Sequence, residues 1–514
     1  MARRTGVKAA VIGGGFGGLA LAIRLQAAGV DVKLYEKRAR VGGRAYQLRE
    51  RGYVFDMGPS LVTAPYILDS VFRAAGRRLA DEVDLMPLDP YYRVFFHDRS
   101  SIDYVGDPDR MKAQMRTFHE GDADRFDAFM EAIAPIHDAV IGDRLGGLPF
   151  DSPGKLLRFV PRMMGLGGHR TVAGFVNRFF ADPRHRFLYS FHPLFVGGNP
   201  FATPAIYLMI PYLEREGGVW FARGGMYALV EAMERVFRDL GGDVATSTEV
   251  SAILVEDGRA RGVRTAAGEE RFDLVVSNAD VAHTYRTLLS DAPRKRWSTR
   301  RVERLEYTMS CVVLYLGVRK TYPELAHHTL ILSERYQGLL DDIFKKRILA
   351  DDFSMYLHVP TRTDPTMAPP GCESMYVLVP VPHLGGAVDW TREAEPFTQR
   401  ILDFLEAWGL AGLRDHLDVL RTFTPLDFAS ELNAWQGNAF GIVPRFTQTA
   451  WFRPHNRSED VQGLYLVGAS THPGAGVPGV LLSAEATYAS IREDVGLPAP
   501  WDEARRGQVA LLDT

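Results

Sequence analysis

The sequence predicts an α/β fold: a Rossmann-like domain assembled from discontinuous segments, with an inserted α+β domain and a further helical region. Three observations carry this prediction. A glycine-rich turn joins a strand to a helix near the start of the chain. Strand-and-helix signals then return after residue 217, and once more after residue 456.

The first element, Val7 to Ile12, is an apolar run that reads as a buried strand. Gly13-Gly14-Gly15-Phe16-Gly17-Gly18 follows, then the helical run Leu19 to Ala28. A second strand, Val32 to Tyr35, ends at Glu36. This is G-x-G-x-x-G in the strand–turn–helix context of a dinucleotide site. Gly13 permits the tight turn, Gly15 lets backbone approach a pyrophosphate, and Gly18 lets helix and strand pack closely. The helix start offers N–H groups to phosphates. Glu36 stands where a ribose diol donates, and its charge disfavours a 2′-phosphate.

Val41-Gly42-Gly43-Arg44 and Phe55-Asp56-Met57-Gly58-Pro59 come next. A nicotinamide-only domain has no need of this second glycine doublet, whereas in FAD enzymes such a turn serves the diphosphate and flavin side. Arg44 supplies a fixed positive charge suited to phosphate. Later, Tyr227 to Leu240 reads as a helix; Val244 to Val250, Ser251 to Val255, Arg259 to Thr265 and Leu274 to Ala279 read as strands. Leu464 to Ser470 is a last strand and turn, followed by a helix from near Pro478 to Glu493; proline suits a first helical turn. The glycines Gly468, Gly476 and Gly479, with Val477 and Pro478, form a second turn whose N–H groups and helix dipole suit the electron-rich side of a flavin. The boundaries drawn are 1–75, 217–285 and 456–495 for the FAD-binding domain. Residues 76–216 are a helical insertion, 286–455 a second inserted domain that binds substrate, and 496–514 a tail.

Composition narrows the class. A chain of 514 residues with 46% hydrophobic and 24% charged content is an ordinary multidomain globular protein. A net charge of −3 gives no reason to expect nucleic acid. Cys311 and Cys372 stand far apart, which argues against a disulfide framework or a zinc site. His327-His328 is adjacent rather than spaced by a helical turn, and no metal is expected. No signal peptide or lipidation box is visible, and no run approaches the ~18 apolar residues of a spanning helix.

Between Arg144 and Tyr212 basic residues outnumber acidic ones, Asp151 and Asp182 being the acids. Lys155, Arg158 and Arg162 fall on one side of a helical wheel; Leu156, Phe159, Val160, Met163 and Met164 spread over the other. That pattern suits a helix lying in a membrane interface, or an amphipathic helix on a protein core, with Pro161 interrupting it.

With these residues in view, the chain resembles the bacterial phytoene desaturases of the carotenoid pathway, within the FAD-containing amine oxidase and carotenoid oxidoreductase superfamily. The likeness runs through VIGGGFGGLALAIRLQAAG, Gly52 to Pro59, Phe191 to Phe201, Gly218 to Phe221, Ser277 to Asp280, Leu325 to Thr329, Ala450 to Arg457, and Leu464 to Gly479. Ser470 stands where many relatives carry glycine. The resemblance implies FAD, a long apolar tunnel, and peripheral attachment to the cytoplasmic side of the cell membrane. It completes the cofactor-binding set with Lys37, Gly58, Val250 and Asn278. It implies stepwise desaturation of a C40 polyene, 15-cis-phytoene, to neurosporene or lycopene, with oxygen or quinone as final acceptor. Desaturation removes a hydride, which flavin accepts, and a proton. The residues do not single out the proton acceptor: His192 and Asp151 are candidates, and a buried structural histidine is the other reading of His192. A desaturase or cis–trans isomerase acting on a later carotene, an amine oxidase, and a non-catalytic carotenoid carrier are the rival readings. Oligomeric state is left open.

Overall fold

The computed structural model describes residues 5–142 and 145–498. Arg144 and most of the predicted tail lie outside that range, as do the side chains of Lys155, Arg158 and Arg162.

A five-stranded parallel sheet runs in the order Leu464–Leu466, Leu274–Ser277, Lys8–Ile12, Asp31–Tyr35, Asp243–Ala245. Its strands come from the three predicted segments, because each carries an apolar run buried on both faces. Alternation along the central strand divides the core: Ala9 and Val11 join one cluster, and Ala10 and Ile12 join another. The first cluster packs against the helices Phe16–Ala27, Tyr227–Asp239 and Val477–Val495. The second is covered by an antiparallel sheet of Val250–Glu256, Arg259–Thr265 and Gly268–Arg271.

A seven-stranded sheet forms the other lobe, in the order Leu417–Phe423, Ser310–Val318, Glu373–Val381, Met355–His358, His328–Ile331, Tyr92–Phe95, Ser101–Tyr104. Strand Ser310–Val318 is buried throughout. Its Val312, Leu314, Leu316 and Val318 pack in the core that holds helix Trp390–Trp408. Its Cys311, Val313 and Tyr315 face the opposite way, into a cavity.

Two sequence readings need correction. Residues 76–216 are not wholly helical: they contribute Leu85–Pro87, Tyr92–Phe95 and Ser101–Tyr104, and the last two extend the sheet built mostly from 286–455. Four-residue strands at a sheet edge carry too little periodicity to be read from sequence. The run Val244 to Val250 is not one strand either; Ser247 adopts φ 50°, which ends the parallel strand at Ala245 and lets an antiparallel one begin at Val250.

Helix Phe16–Ala27 is tied to helix Val477–Val495 by Arg24, 4% exposed, whose Nη2 lies 3.0 Å from Glu485 Oε1 and donates to Ser70 Oγ at 2.8 Å. Removing one member of such a pair strands a buried charge. Glu485→Ala is expected to lower unfolding stability by ~3 kcal/mol. The double variant Arg24→Met/Glu485→Leu should recover most of that loss in a denaturant titration; equal losses in both would deny the pair its role.

Candidate active site

The carboxyl ends of the parallel strands open into a cavity of about 840 Å³ that continues under the seven-stranded sheet. Its first part is made by glycine contacts. A Cβ on Gly18 would stand 2.1 Å from the Gly13 carbonyl oxygen, so helix Phe16–Ala27 could not close on the turn with any side chain there. Asn278, at the end of strand Leu274–Ser277, donates from Nδ2 to that carbonyl at 3.1 Å. Gly468 (φ 110°) meets Asn278 from the other side, where a Cβ would lie 2.7 Å from Oδ1. The turn after strand Asp31–Tyr35 crosses the same loop, with Gly42 N–H donating to the Gly14 carbonyl at 2.8 Å.

Glu36 is held in place by backbone: Gly14 N–H donates to Oε2 and Arg38 N–H to Oε1, both at 2.9 Å. Each oxygen keeps further acceptor capacity toward the cavity it lines. Arg44 also lines the cavity, and its Nε and Nη2 find no hydrogen-bond partner in the protein. Burial pulls its guanidinium below the ordinary arginine value, against the attraction of Asp280. An unpaired buried guanidinium is costly and calls for an anion. Gly58 (φ 151°) brings its chain onto Arg44, a Cβ there falling 2.0 Å from the Arg44 carbonyl oxygen.

The predicted cofactor set is thereby brought to one wall: Gly13, Gly15, Glu36, Lys37, Gly43, Arg44, Gly58, Val250, Asn278, Gly468 and Gly476 to Gly479 all line the cavity, and Gly18 sits directly behind it. Lys37 differs in one respect. Its Nζ donates to Ser430 O and Asn433 Oδ1, so the ammonium ties the wall to helix Pro425–Leu432 rather than presenting a free charge. The N-terminus of helix Val477–Val495 belongs to the same lining.

Of the two proton-acceptor candidates, Asp151 is not among the lining residues; it pairs with Arg457 Nη1 at 2.9 Å, in a group that also holds Glu493 and Asp494. His192 is buried, stacks on Phe191, and has Nε2 3.2 Å from Glu214 Oε2. Sequence reasoning missed Glu214, which lines the cavity, because a Glu in a Glu-Arg-Glu run reads as solvated surface.

A second polar group lies partly in the wall and partly behind it. Ser60 and Tyr356 share a 2.6 Å hydrogen bond, and Tyr356 is bonded to His328 Nδ1 at 2.6 Å. His327, His328 and His358 offer nitrogens within 4.8 Å of one another, a grouping invisible in linear spacing because His358 comes from another strand. Burial lowers all three imidazoles, His327 to about 3, and keeps them neutral. Burial likewise pushes Asp56, next to His358, up to about 7.

Residues 16–487 match the family model of flavin containing amine oxidoreductases. The chain belongs to that family. It is 47% identical over 493 residues to a lycopene-forming phytoene desaturase of Pseudescherichia vulneris, covering 95% of this chain and 99% of the relative. A neurosporene-forming phytoene desaturase of Cereibacter sphaeroides is 42% identical over 485 residues, covering 93% of each chain. Among solved structures, an oxidoreductase of Methanosarcina mazei shares the fold with a TM-score of 0.62 at 19% identity, covering 95% of this chain and 100% of that one. The family's flavin fits the site, and the cofactor is FAD: Glu36 suits its ribose, Arg44 its diphosphate, and the glycines leave room for backbone contact.

Arg44→Met should weaken FAD retention by ~2 kcal/mol and Glu36→Ala by ~1–3 kcal/mol, as flavin remaining per protein after gel filtration. Denaturation of the parent protein should release FAD; release of a nicotinamide nucleotide instead would contradict the assignment.

Proposed function

We propose that this chain desaturates a C40 polyene stepwise, carrying 15-cis-phytoene toward neurosporene or lycopene in carotenoid biosynthesis. The observation that carries the reading is one continuous cavity, which begins at the flavin contacts and runs on between apolar walls. Phe187, Phe191, Leu194, Met309, Leu330 and Tyr336 are among those walls. A hydrocarbon offers no hydrogen bond, so binding rests on apolar burial at about 25 cal/mol per Å². The relatives named above are called desaturases of such a substrate.

When bound, FAD supplies the hydride acceptor. The residues of this chain do the rest. The apolar wall aligns the polyene against the flavin side and keeps water from the developing cation. Residues 1–75, 217–285 and 456–495 serve the cofactor, and the inserted segments serve the polyene.

The substrate's solvent is the bilayer, and the cavity opening suits attachment to one. Helix Pro153–Gly165 exposes Leu157 (71%), Val160 and Met164, and Phe446 and Phe452 are exposed as well. Val160, Met164, Phe446 and Phe452 also line the cavity, so the exposed apolar patch rims its mouth. Contiguous apolar surface of this kind marks an interaction site. Among the described residues no helix is long and apolar enough to cross a membrane. The protein is therefore read as lying on the cytoplasmic face of the cell membrane with its mouth inward. Oxygen or a quinone of the bilayer takes the electrons onward.

Two outcomes follow. In cells that accumulate phytoene, the chain should yield coloured products of longer conjugation by pigment chromatography. Phytoene left colourless beside abundant FAD-loaded protein would favour a later carotene as substrate, and an unchanged double-bond count would favour isomerisation. Leu157→Asp/Met164→Asp should cut liposome co-sedimentation several-fold while leaving FAD content unchanged; undiminished binding would remove this helix from the membrane contact.

A further inference from the structure

A buried polar atom without a hydrogen-bond partner calls for an explanation. Several gather in one place in this chain. His327, His328 and His358 are buried, none more than 5% exposed. Nε2 of His327, Nε2 of His328 and both ring nitrogens of His358 find no partner in the protein. Neither does Oδ1 of the neighbouring Asp56, which is 1% exposed. Leaving so many polar atoms unpaired together is costly, and none of the three histidines lines the cavity, so the polyene does not explain them.

Strand pairing makes the group. His328 stands directly opposite His358 in the antiparallel pair His328–Ile331 and Met355–His358. His327 is the residue before, and its carbonyl accepts from Val359 N–H at 2.8 Å, which closes the strand ends on each other. The ring centres of His327 and His328 are 4.5 Å apart, those of His327 and His358 5.0 Å, and those of His328 and His358 5.3 Å. An imidazole bound to zinc at about 2.0–2.1 Å has its ring centre roughly 3.2 Å from the ion, so ligand angles of about 90–110° set ring centres roughly 4.5–5.3 Å apart. The three rings have that spacing.

Their orientation is fixed from outside. His327 Nδ1 is bonded to Thr363 Oγ1 and His328 Nδ1 to the Tyr356 hydroxyl, each at 2.6 Å, and Tyr356 is bonded onward to Ser60. With Nδ1 donating in both, each Nε2 keeps its lone pair; histidines that hold metals are oriented by outer hydrogen bonds of this kind. Asp56 Oδ2 lies 3.8 Å from His358 Nε2 and accepts from Met226 N–H at 3.0 Å. The rings of Phe221, Tyr92 and Tyr376 enclose the group.

We propose that His327, His328 and His358 bind a structural zinc ion, one nitrogen from each, with the Asp56 carboxylate beside it as the compensating charge. Three imidazoles in this array suit zinc, which undergoes no redox change beside a flavin. The ion clamps two strand ends of the seven-stranded sheet together. Through Asp56 it also ties that sheet to strand Tyr53–Met57 and to the start of helix Tyr227–Asp239, which packs on the nucleotide-binding sheet. Zinc thus joins the two lobes behind the cavity wall.

The test is metal analysis of the full-length FAD-loaded protein, made without a histidine tag in zinc-supplemented medium. Mass spectrometry of the digested protein should find roughly one zinc per chain after gel filtration, and X-ray absorption should place imidazole nitrogens at about 2.0–2.1 Å from it. His358→Gln keeps size and polarity but removes a ligand; its zinc content should fall by roughly tenfold or more and its melting temperature should drop. His358→Cys supplies a ligand again and should regain zinc. Parent protein that carries no zinc, or another metal in its place, would overturn the proposal. So would zinc held equally by the parent and the Gln variant. If the Gln variant does not fold, the absorption spectrum of the parent decides: a shell of sulfur, or one without imidazole, would place the ion elsewhere.

Discussion

Everything in this molecule depends on three distant stretches of chain closing around the side chain of Asn278, with no room for a Cβ at Gly17 or Gly468. Gly13 to Gly18, Asn278 and Gly468 converge at the carboxyl ends of neighbouring parallel strands, where added Cβ atoms would fall 2.1 to 2.9 Å from their neighbours at Gly18, Gly468 and Gly17. This contact fixes the spacing of strands Lys8–Ile12, Leu274–Ser277 and Leu464–Leu466, and hence the crevice beyond them. Crevices outside the carboxyl ends of parallel strands are where such folds place their ligands. Glu36 and Arg44 acquire their roles from the same contact, since both are carried on turns that cross the glycine loop.

The second lobe solves a different problem, that of keeping a large apolar hollow open. Close packing is the default of protein interiors, and a hollow must be held apart by stiff elements. Strands Ser310–Val318 and Glu373–Val381 supply the stiffness, pairing along their whole length. One face of each is committed to the core beneath helix Trp390–Trp408, through Val312, Leu314, Met375 and Val377 among others. The opposite face, with Cys311, Val313, Tyr315, Tyr376 and Leu378, is thereby left to the cavity. A ligand that fills such a space also stabilises the folded state by mass action.

Polar groups in this apolar lobe are few and supported. Glu214 has Tyr92 and His192; Ser60 has Tyr356 and Tyr376. The histidines behind Tyr356 are kept neutral by burial, so the wall on that side carries hydroxyls and uncharged rings. The cavity is thus asymmetric in charge: Lys37, Arg38, Arg44 and the carboxylates Glu36, Glu249, Asp280 and Glu431 lie at the nucleotide end, and Glu214 is the one acid among the described lining residues elsewhere.

Local sequence by itself determined the nucleotide half. Apolar strands, glycine doublets and a proline at a helix start are short-range signals, and the strands Arg259–Thr265 and Leu274–Ser277 and the helix Val477–Val495 fall where those signals stand. Glu36, Arg44 and Gly476 to Gly479 stand on or beside turns that the sequence marks with glycine, whereas Asn278 entered only through the family resemblance. The other half was decided by tertiary structure. That Tyr92–Phe95 pairs with His328–Ile331 depends on residues more than two hundred apart. Tertiary structure likewise brings His327 and His328 to His358 and pairs Asp151 with Arg457. Glu214 reads as surface in a charged run; only the packing of its helix, with Tyr92 and His192 bonded to its two oxygens, makes it a buried carboxylate. Charge and periodicity are local properties of a chain, whereas desolvation belongs to the packed fold.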